Sequence, residues 1–136
     1  MRLENKICLI TGSSRGIGKK IAEAFSNEGA YVIITYNKNK KEAIKLSKKI
    51  KHSSVYKLNV SKKNQIKKVF SKVKKKFKRI DVLVNNAGVN KTNDFDKLSE
   101  NDWDLVLDVN LKGVFLCCQE VLKSMPNGGK IINIGS

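Results

Sequence analysis

The fold is decided by residues 5–18, which read Asn-Lys-Ile-Cys-Leu-Ile-Thr-Gly-Ser-Ser-Arg-Gly-Ile-Gly. An apolar run suited to a buried strand breaks into a glycine-rich turn, and a helical pattern follows. Gly12 permits a sharp turn where the strand ends, while Gly16 and Gly18 permit close approach of a phosphate and of the sheet. Because a helix begins there, its free N–H groups and positive dipole end favour an anion. This order predicts a site for the pyrophosphate of a nucleotide.

The spacing of these glycines is G-x-x-x-G-x-G, which departs from the G-x-G-x-x-G of the usual dinucleotide fingerprint. An ordinary strand-to-helix turn is the alternative, since glycine-rich turns are common in loops. The strand before the loop and the helix after it favour the nucleotide site.

Length and composition predict a single domain over residues 1–136, with a hydrophobic content of 40%. No apolar run approaches the roughly 20 residues that span a bilayer, and the first residues lack the apolar core of a signal peptide. We therefore expect a cytoplasmic protein without a membrane partner. The three cysteines, Cys8, Cys117 and Cys118, are expected as small core residues, and no further Cys or His cluster completes a metal site.

The net charge of +16 comes from 25 Lys and only 3 Arg against 12 acidic residues. Proteins that read nucleic acids usually depend on Arg for bidentate contacts, whereas lysines here spread over the outer sides of predicted helices, above all between residues 62 and 78. We therefore predict solvated helix faces and no nucleic-acid partner. Attraction of an acidic partner is one alternative, and nucleic-acid binding through charge alone is another.

Strand and helix patterns alternate along the chain, which predicts a parallel sheet with helices on both faces. The predicted strands are residues 6–11, 31–36, 55–60, 80–84 and 130–135, and the predicted helices are residues 16–28, 41–51, 62–77 and 99–125. Right-handed crossovers give the strand order 3-2-1-4-5. That order leaves the fifth strand as an open apolar edge, which indicates an interrupted fold.

The longest predicted helix is apolar on more than one side, which predicts burial both against its own sheet and against a further surface. Ser99 followed by Asp102 is typical of a helix cap. Trp103 is expected to anchor this helix in the core or in an interface. The same helix carries Asn110, whose amide would be costly to bury without a partner, so a bridge to neighbouring backbone is one interpretation of it.

Four motifs in order make the chain resemble the short-chain dehydrogenase/reductase family, above all its 3-oxoacyl-acyl-carrier-protein reductase branch. They are Thr11-Gly12-x-x-x-Gly16-Ile17-Gly18, Asn85-Asn86-Ala87-Gly88, Asn110 within Val109-Asn110-Leu111, and Ile132-Asn133-Ile134-Gly135-Ser136. The resemblance covers the whole chain. It implies a Rossmann-type doubly wound sheet that lacks the C-terminal strands and helices of the family.

The resemblance also implies an oxidoreductase that transfers hydride between nicotinamide and a ketone or alcohol. Asn110 is similar to the catalytic Asn, which holds a water in a proton relay, and Ser136 to the catalytic Ser, which hydrogen-bonds the substrate carbonyl. The Tyr-x-x-x-Lys pair of the family follows that Ser and lies beyond this chain. Since losing a positioned acid typically costs about 10²–10⁴-fold in rate, we expect the 136 residues alone to be inactive.

The resemblance implies that NAD(P)(H) is held by residues of the glycine loop and of the loops after the next three strands. These are Gly12, Ser13, Ser14, Arg15, Gly16, Ile17, Gly18, Asn37, Asn59, Val60, Asn86, Ala87 and Gly88. No acid follows the second strand to bond a ribose 2′-hydroxyl, and Arg15 suits a 2′-phosphate, with help from Asn37 and Lys38. We therefore predict NADP(H) rather than NAD(H).

The leading interpretation is the N-terminal portion of an NADP(H)-dependent reductase, with 3-oxoacyl groups on a carrier protein in fatty acid synthesis as its substrate. A sugar or other alcohol dehydrogenase of the same family is the alternative. A non-catalytic cofactor-binding module is a second alternative, which a genuine stop after Ser136 would favour. The family also implies a homo-oligomer, a dimer or tetramer, in which the helix of Asn110 contributes to the interface.

Overall fold

A computed structural model describes residues 1–135 and shows a parallel sheet of five strands with helices on both faces. Ser136, predicted as catalytic, lies outside the described residues. The strands are β1 (Ile7–Ile10), β2 (Tyr31–Tyr36), β3 (Ser53–Lys57), β4 (Val82–Asn85) and β5 (Lys130–Asn133). The helices are α1 (Gly16–Asn27), α2 (Lys40–Lys49), α3 (Lys63–Phe77), α4 (Glu100–Leu107) and α5 (Gly113–Val121), with a 3₁₀ turn at Phe95–Lys97 and a π-helical turn at Asp108–Lys112.

The strand order is β3-β2-β1-β4-β5, which confirms the predicted sheet. β1 lies at the centre, where Leu9 pairs with Ile33 of β2 on one side and with Leu83 of β4 on the other. All pairs are parallel, so the carboxyl ends of the strands share one edge. The chain reverses its direction of winding between β1 and β4, and a crevice at such a switch point is where open α/β sheets bind ligands.

Two apolar cores, one on each face of the sheet, explain why the strands read as continuous hydrophobic runs. On one face α3 and α5 cover the sheet, and α3 contributes an apolar stripe of four buried residues, Ile66, Val69, Phe70 and Val73. On the other face α1 and α2 cover it. Cys8 and Cys117 are buried as expected, whereas Cys118 is only half-buried.

The predicted helix over residues 99–125 is not continuous. A π-helical turn interrupts it, and α5 ends at Val121. Its second apolar side is uncovered in the described structure, since Leu111, Phe115 and Leu122 are 66%, 59% and 66% exposed. The predicted cap is confirmed, because Ser99 Oγ accepts a hydrogen bond from Asp102 N at 3.0 Å.

The structure excludes one of the two places predicted for Trp103, the core, because this side chain is 65% exposed, and its place in an interface stays a prediction. The physical reason is that α4 buries none of its own residues against the sheet. The predicted third strand is also displaced. β3 ends at Lys57, which pairs with the last residue of β2, Tyr36, so Leu58 and Val60 are buried beyond the ladder rather than in it.

The positive charge is concentrated in one stretch of the chain, which includes β3 and α3. Residues 43–80 hold 14 Lys and one Arg but no Asp or Glu. Every lysine of α3 is exposed, which confirms the predicted solvated helix face. Within residues 1–135, no helix has both the length and the apolarity needed to cross a membrane.

Candidate functional site

A cleft of about 480 Å³ opens at the carboxyl ends of β1, β2, β3 and β4. Its lining residues come from the glycine loop (residues 11–18, which includes the first turn of α1), from the loops after the next three strands, and from the helical region beyond. They are Gly12, Ser14, Arg15, Gly16, Ile17, Asn37, Lys38, Asn39, Leu58, Asn59, Val60, Asn86, Ala87, Gly88, Val89, Leu105 and Val109. The cleft therefore lies at the switch point of the sheet.

The glycine loop leaves β1 through a backbone that only glycine adopts easily. Gly12 has φ +62°, and a Cβ there would come within 2.9 Å of Ala87 Cα. Gly18 lies tightly against the loop, since a Cβ there would meet Asn86 Nδ2 and come within 2.5 Å of Gly12 O. Gly16 differs: it has φ +57°, but a Cβ added there would have no described atom within 4 Å apart from its own stretch of chain. Its backbone therefore borders open space in the cleft.

The amino end of α1 offers unpaired donors to this space. Arg15 is the residue before the helix, and no side chain of the described residues caps it. The N–H groups of the first helical turn have no partner within the helix, and they lie at its positive dipole end. This end of the cleft fits the pyrophosphate of a nucleotide, as the sequence predicts.

Thr11 and Asn86 hold the loop after β4 against the glycine loop. Thr11 Oγ1 accepts hydrogen bonds from Asn86 N at 3.0 Å and from Ala87 N at 2.9 Å. In return Asn86 Nδ2 donates to Thr11 O at 3.1 Å and to Gly12 O at 3.0 Å. These bonds fix the width of the cleft at its narrow side.

The far end of the cleft is positively charged. Arg15 and Lys38 line it together with Asn37, and no Asp or Glu of residues 1–135 is among its lining residues. Arg15 is exposed, so its guanidinium is accessible to an anion. A guanidinium matches phosphate geometry in two hydrogen bonds, and no carboxylate here would repel the added charge.

One wall of the cleft is formed by the residues that follow β3, which are Leu58, Asn59 and Val60. Leu58 and Val60 are 4% and 5% exposed, which gives this wall an apolar surface suited to a base. Asn59 Oδ1 accepts from Ser61 N at 3.0 Å and from Ser61 Oγ at 2.7 Å, and Asn59 N donates to Gln65 Oε1 at 2.9 Å. The turn after β3 is therefore fixed before any ligand arrives.

Asn110 lies in the π-helical turn and is exposed rather than buried in an apolar helix. Its Oδ1 accepts from Val89 N at 2.8 Å, and its Nδ2 donates to Val89 O at 2.8 Å. The side chain thus does bridge neighbouring backbone, one of the interpretations that the sequence left open. The amide keeps a second lone pair and a second N–H for another partner.

The cleft brings together nearly all the residues predicted to bind a cofactor. Two of them, Ser13 and Gly18, do not line the cleft, because both are buried within the glycine loop. Sequence reasoning missed Asn39, Leu58, Val89, Leu105 and Val109 in the lining. It also missed two supporting hydroxyls, Thr11 and Thr35, although a lone Thr inside the apolar run of β2 was a signal for the second.

Comparison with known proteins agrees with this geometry. The sequence model of the family described as short chain dehydrogenase matches residues 6–136. The chain belongs to the short-chain dehydrogenase/reductase family. A 3-oxoacyl-acyl-carrier-protein reductase of Thermotoga maritima is 45% identical, over 100% of this chain and 57% of the relative. The predicted resemblance is thereby confirmed.

Two further proteins similar to this chain are named with different cofactors. An NAD-dependent glycerol dehydrogenase of Listeria innocua is 35% identical over 98% of this chain and 54% of its own length. The crystal structure of a short-chain dehydrogenase from Burkholderia cenocepacia in complex with NADP superposes with a TM-score of 0.96 and 32% identity, over 100% of this chain and 57% of that one. This chain therefore spans a little over half the length of the proteins that it matches.

Proposed function

We propose that this chain forms the cofactor-binding portion of an NADP(H)-dependent reductase that transfers hydride between nicotinamide and a ketone. The proposed substrate is a 3-oxoacyl group carried by an acyl carrier protein, in fatty acid synthesis. The identity of 45% to a reductase named for that substrate supports this choice. Since the chain covers 57% of that relative, the proposal concerns the protein of which these residues form the cofactor-binding part.

The observation that carries the choice of cofactor is the positive end of the cleft. Arg15 and Lys38 line it, and within residues 1–135 no carboxylate does. A 2′-phosphate adds negative charge at this position, whereas an unmodified ribose gains most from an acidic partner. The relative from Burkholderia cenocepacia was crystallised with NADP, which agrees with this preference.

NADPH, when bound, supplies the hydride that reduces the substrate carbonyl. The N–H groups of Gly16 and Ile17 bind the pyrophosphate in this proposal. Arg15 and Asn37 bind the 2′-phosphate.

The remaining roles follow the same assignment. Leu58 and Val60 pack against the base. Asn110 holds a water through the donor and acceptor that Val89 leaves available, and Ser136 hydrogen-bonds the substrate carbonyl.

The experiment that tests this proposal compares NADPH with NADH on the wild type and on Arg15→Glu. We expect the wild type to bind NADPH more tightly, and Arg15→Glu to lower the affinity for NADPH by at least about tenfold, because a carboxylate repels the phosphate that the guanidinium attracted. Dissociation constants from nicotinamide fluorescence measure both ligands.

Lys68→Glu is the matched control, since it makes the same change of charge on the exposed face of α3, away from the cleft. It should leave the ratio of NADPH to NADH affinity unchanged. An unchanged ratio in Arg15→Glu as well would sink the assignment of the 2′-phosphate to this residue.

An alcohol dehydrogenase is the second candidate, favoured by the 35% identity to the glycerol dehydrogenase of Listeria innocua. The two candidates differ in substrate, so reduction of a 3-oxoacyl thioester with NADPH is measured beside oxidation of glycerol with NAD, in the protein of which these residues form the cofactor-binding part. A cofactor-binding module without turnover would bind NADPH and catalyse neither reaction. We also propose that the exposed side formed by Leu111, Phe115 and Leu122 packs against a second copy of the protein.

A further inference from the structure

Thr35 is a buried polar residue in an otherwise apolar strand. β2 reads Tyr-Val-Ile-Ile-Thr-Tyr, and Thr35 is fully buried within it. A hydroxyl in such a place is costly unless it is hydrogen-bonded, and valine would fill the same space without that cost. The partners of this hydroxyl therefore indicate what it contributes.

Both partners of the Thr35 hydroxyl belong to the segment that leaves β1. Thr35 Oγ1 accepts from Gly12 N at 3.1 Å and donates to Ile10 O at 3.1 Å. Ser13 completes the arrangement, because its Oγ donates to Ile10 O at 2.9 Å and accepts from Thr35 N at 3.0 Å. A main-chain bond from Ser13 N to Thr35 O at 3.0 Å closes it.

These hydrogen bonds take the place of main-chain pairing between β1 and β2, which stops where the chain turns after β1. The last pair of β1 and β2 joins Ile10 to Ile34, and at Gly12 the backbone turns with φ +62°. From that point the two hydroxyls connect the loop to β2, as Thr11 connects it to the loop after β4. The same strand continues into Asn37 and Lys38, which line the positive end of the cleft.

We propose that Thr35 is a positioning residue for the cofactor: its hydroxyl holds the Gly12 peptide where the amino end of α1 meets the pyrophosphate. The inference rests on the proposed function, because it assumes a pyrophosphate at that end of the cleft. Thr35 does not touch the ligand. It acts through Gly12, and its effect falls on the glycine loop rather than on the site of the 2′-phosphate.

The test is the binding of two ligands to Thr35→Val. NADPH contains the pyrophosphate, whereas adenosine 2′-monophosphate lacks it and keeps the 2′-phosphate. We expect Thr35→Val to weaken NADPH binding by about tenfold, because Gly12 N–H and the loop lose a buried acceptor. Binding of adenosine 2′-monophosphate, measured by NMR titration, should change by less than about twofold, since Arg15 and Asn37 are untouched.

Two further variants complete the comparison. Thr35→Ser keeps the hydroxyl and should restore NADPH binding to near the wild-type value. Ile33→Val removes a methyl group from the same strand, at a position that is fully buried in the core and outside the cleft. It should lower thermal stability without changing the affinity for either ligand.

Equal NADPH affinity in Thr35→Val and the wild type would overturn the inference, and so would parallel weakening of both ligands, which indicates a general loss of structure. If Thr35→Val does not fold, Ser13→Ala takes its place and must show the same selective loss of NADPH. A wild type that binds neither ligand would overturn the proposed function and this inference with it. If the wild type binds both NADPH and adenosine 2′-monophosphate, the result for Thr35→Val tests the role of Thr35 separately from the proposed function.

Discussion

Side chains extend the strand pairing both at the carboxyl edge of the sheet, where the strands end, and at the amino edge, where they begin. Neutral groups do so at the carboxyl edge and a carboxylate does so at the amino edge. At the carboxyl edge, neutral hydroxyls and an amide hold the glycine loop: Thr11, Ser13, Thr35 and Asn86. At the amino edge, a carboxylate that is 5% exposed does the corresponding work. Asp81 Oδ2 accepts a hydrogen bond from Ile7 N at 2.8 Å and forms an ion pair with Arg79 Nε at 3.1 Å, and Lys6 Nζ lies 3.9 Å from Oδ1.

The difference shows how the chain separates stability from binding. A carboxylate is a strong acceptor for main-chain N–H groups, but beside the glycine loop it would repel a phosphate. The acid lies at the edge where no anion is expected, together with its own cations. Neutral groups brace the cleft and leave the N–H groups of α1 available.

The largest expected effect comes from removing the carboxylate of the amino edge. Asp81→Ala should lower the free energy of unfolding by about 3 kcal/mol, because Ile7 N–H loses its acceptor and the Arg79 guanidinium loses its ion-pair partner. Urea denaturation measures it. Asp94→Ala removes an exposed partner of Lys97 and should have little effect. Equal effects of the two variants would show that main-chain bonds between β1 and β4 hold this edge unaided.

A smaller loss of stability, accompanied by a loss of binding, is expected at the carboxyl edge. In Gly18→Ala the new methyl group meets Asn86 Nδ2 and Gly12 O, so the loop must shift. We expect a cost of roughly 2 kcal/mol and weaker NADPH binding. Lys20→Ala, on the exposed side of the same helix, is the control. Full NADPH affinity in Gly18→Ala would contradict the idea that this close packing sets the geometry of the cleft.

The smallest expected effect concerns the charge at the amino edge and its influence on the Cys8 thiol. Burial and the Asp81 carboxylate raise the pKa of the Cys8 thiol from 9.0 to about 12, although Lys6 opposes them. Because the pKa is higher in the folded state, the contribution of this thiol to stability is complete below pH 9 and is lost as the pH rises toward 12.

Between about pH 8 and 10 the free energy of unfolding should therefore fall more steeply in the wild type than in Cys8→Ala. The difference in slope is at most about 1.4 kcal/mol per pH unit, the limit for one proton. Cys117 and the lysines are present in both proteins, so their titration cancels. Parallel curves would mean that Cys8 ionises as easily in the folded protein as in the unfolded chain.

Local patterns predicted the elements well where burial repeats along the chain. The stripe of Ile66, Val69, Phe70 and Val73 defined α3, and the apolar runs of β1, β2 and β4 defined the central strands. The same reasoning left Trp103 a place in the core or in an interface, and the structure excludes the core. It also missed the π-helical turn at Asp108–Lys112, since the periods of the two helix types differ too little over five residues.

For the candidate site, the glycines and Arg15 were recognisable because their roles depend on neighbours in sequence. Thr35 was not, because its partners Ile10, Gly12 and Ser13 are 22 to 25 residues away. The bridge from Asn110 to Val89 spans 21 residues and joins a loop to a helical turn. Such pairs form only when the sheet and its crossovers bring the segments together.

The sequence by itself determined the order of strands and helices, the position of the glycine loop and the sign of the charge in the cleft. Those properties follow from local periodicity, backbone freedom at glycine and formal charge, all of which are carried by the residue itself. The tertiary structure decided which polar side chains brace the loop, where Asp81 finds its cations and which apolar side of residues 99–125 remains uncovered. These depend on distances between segments far apart in the chain, and hydrogen bonds and burial are set by those distances.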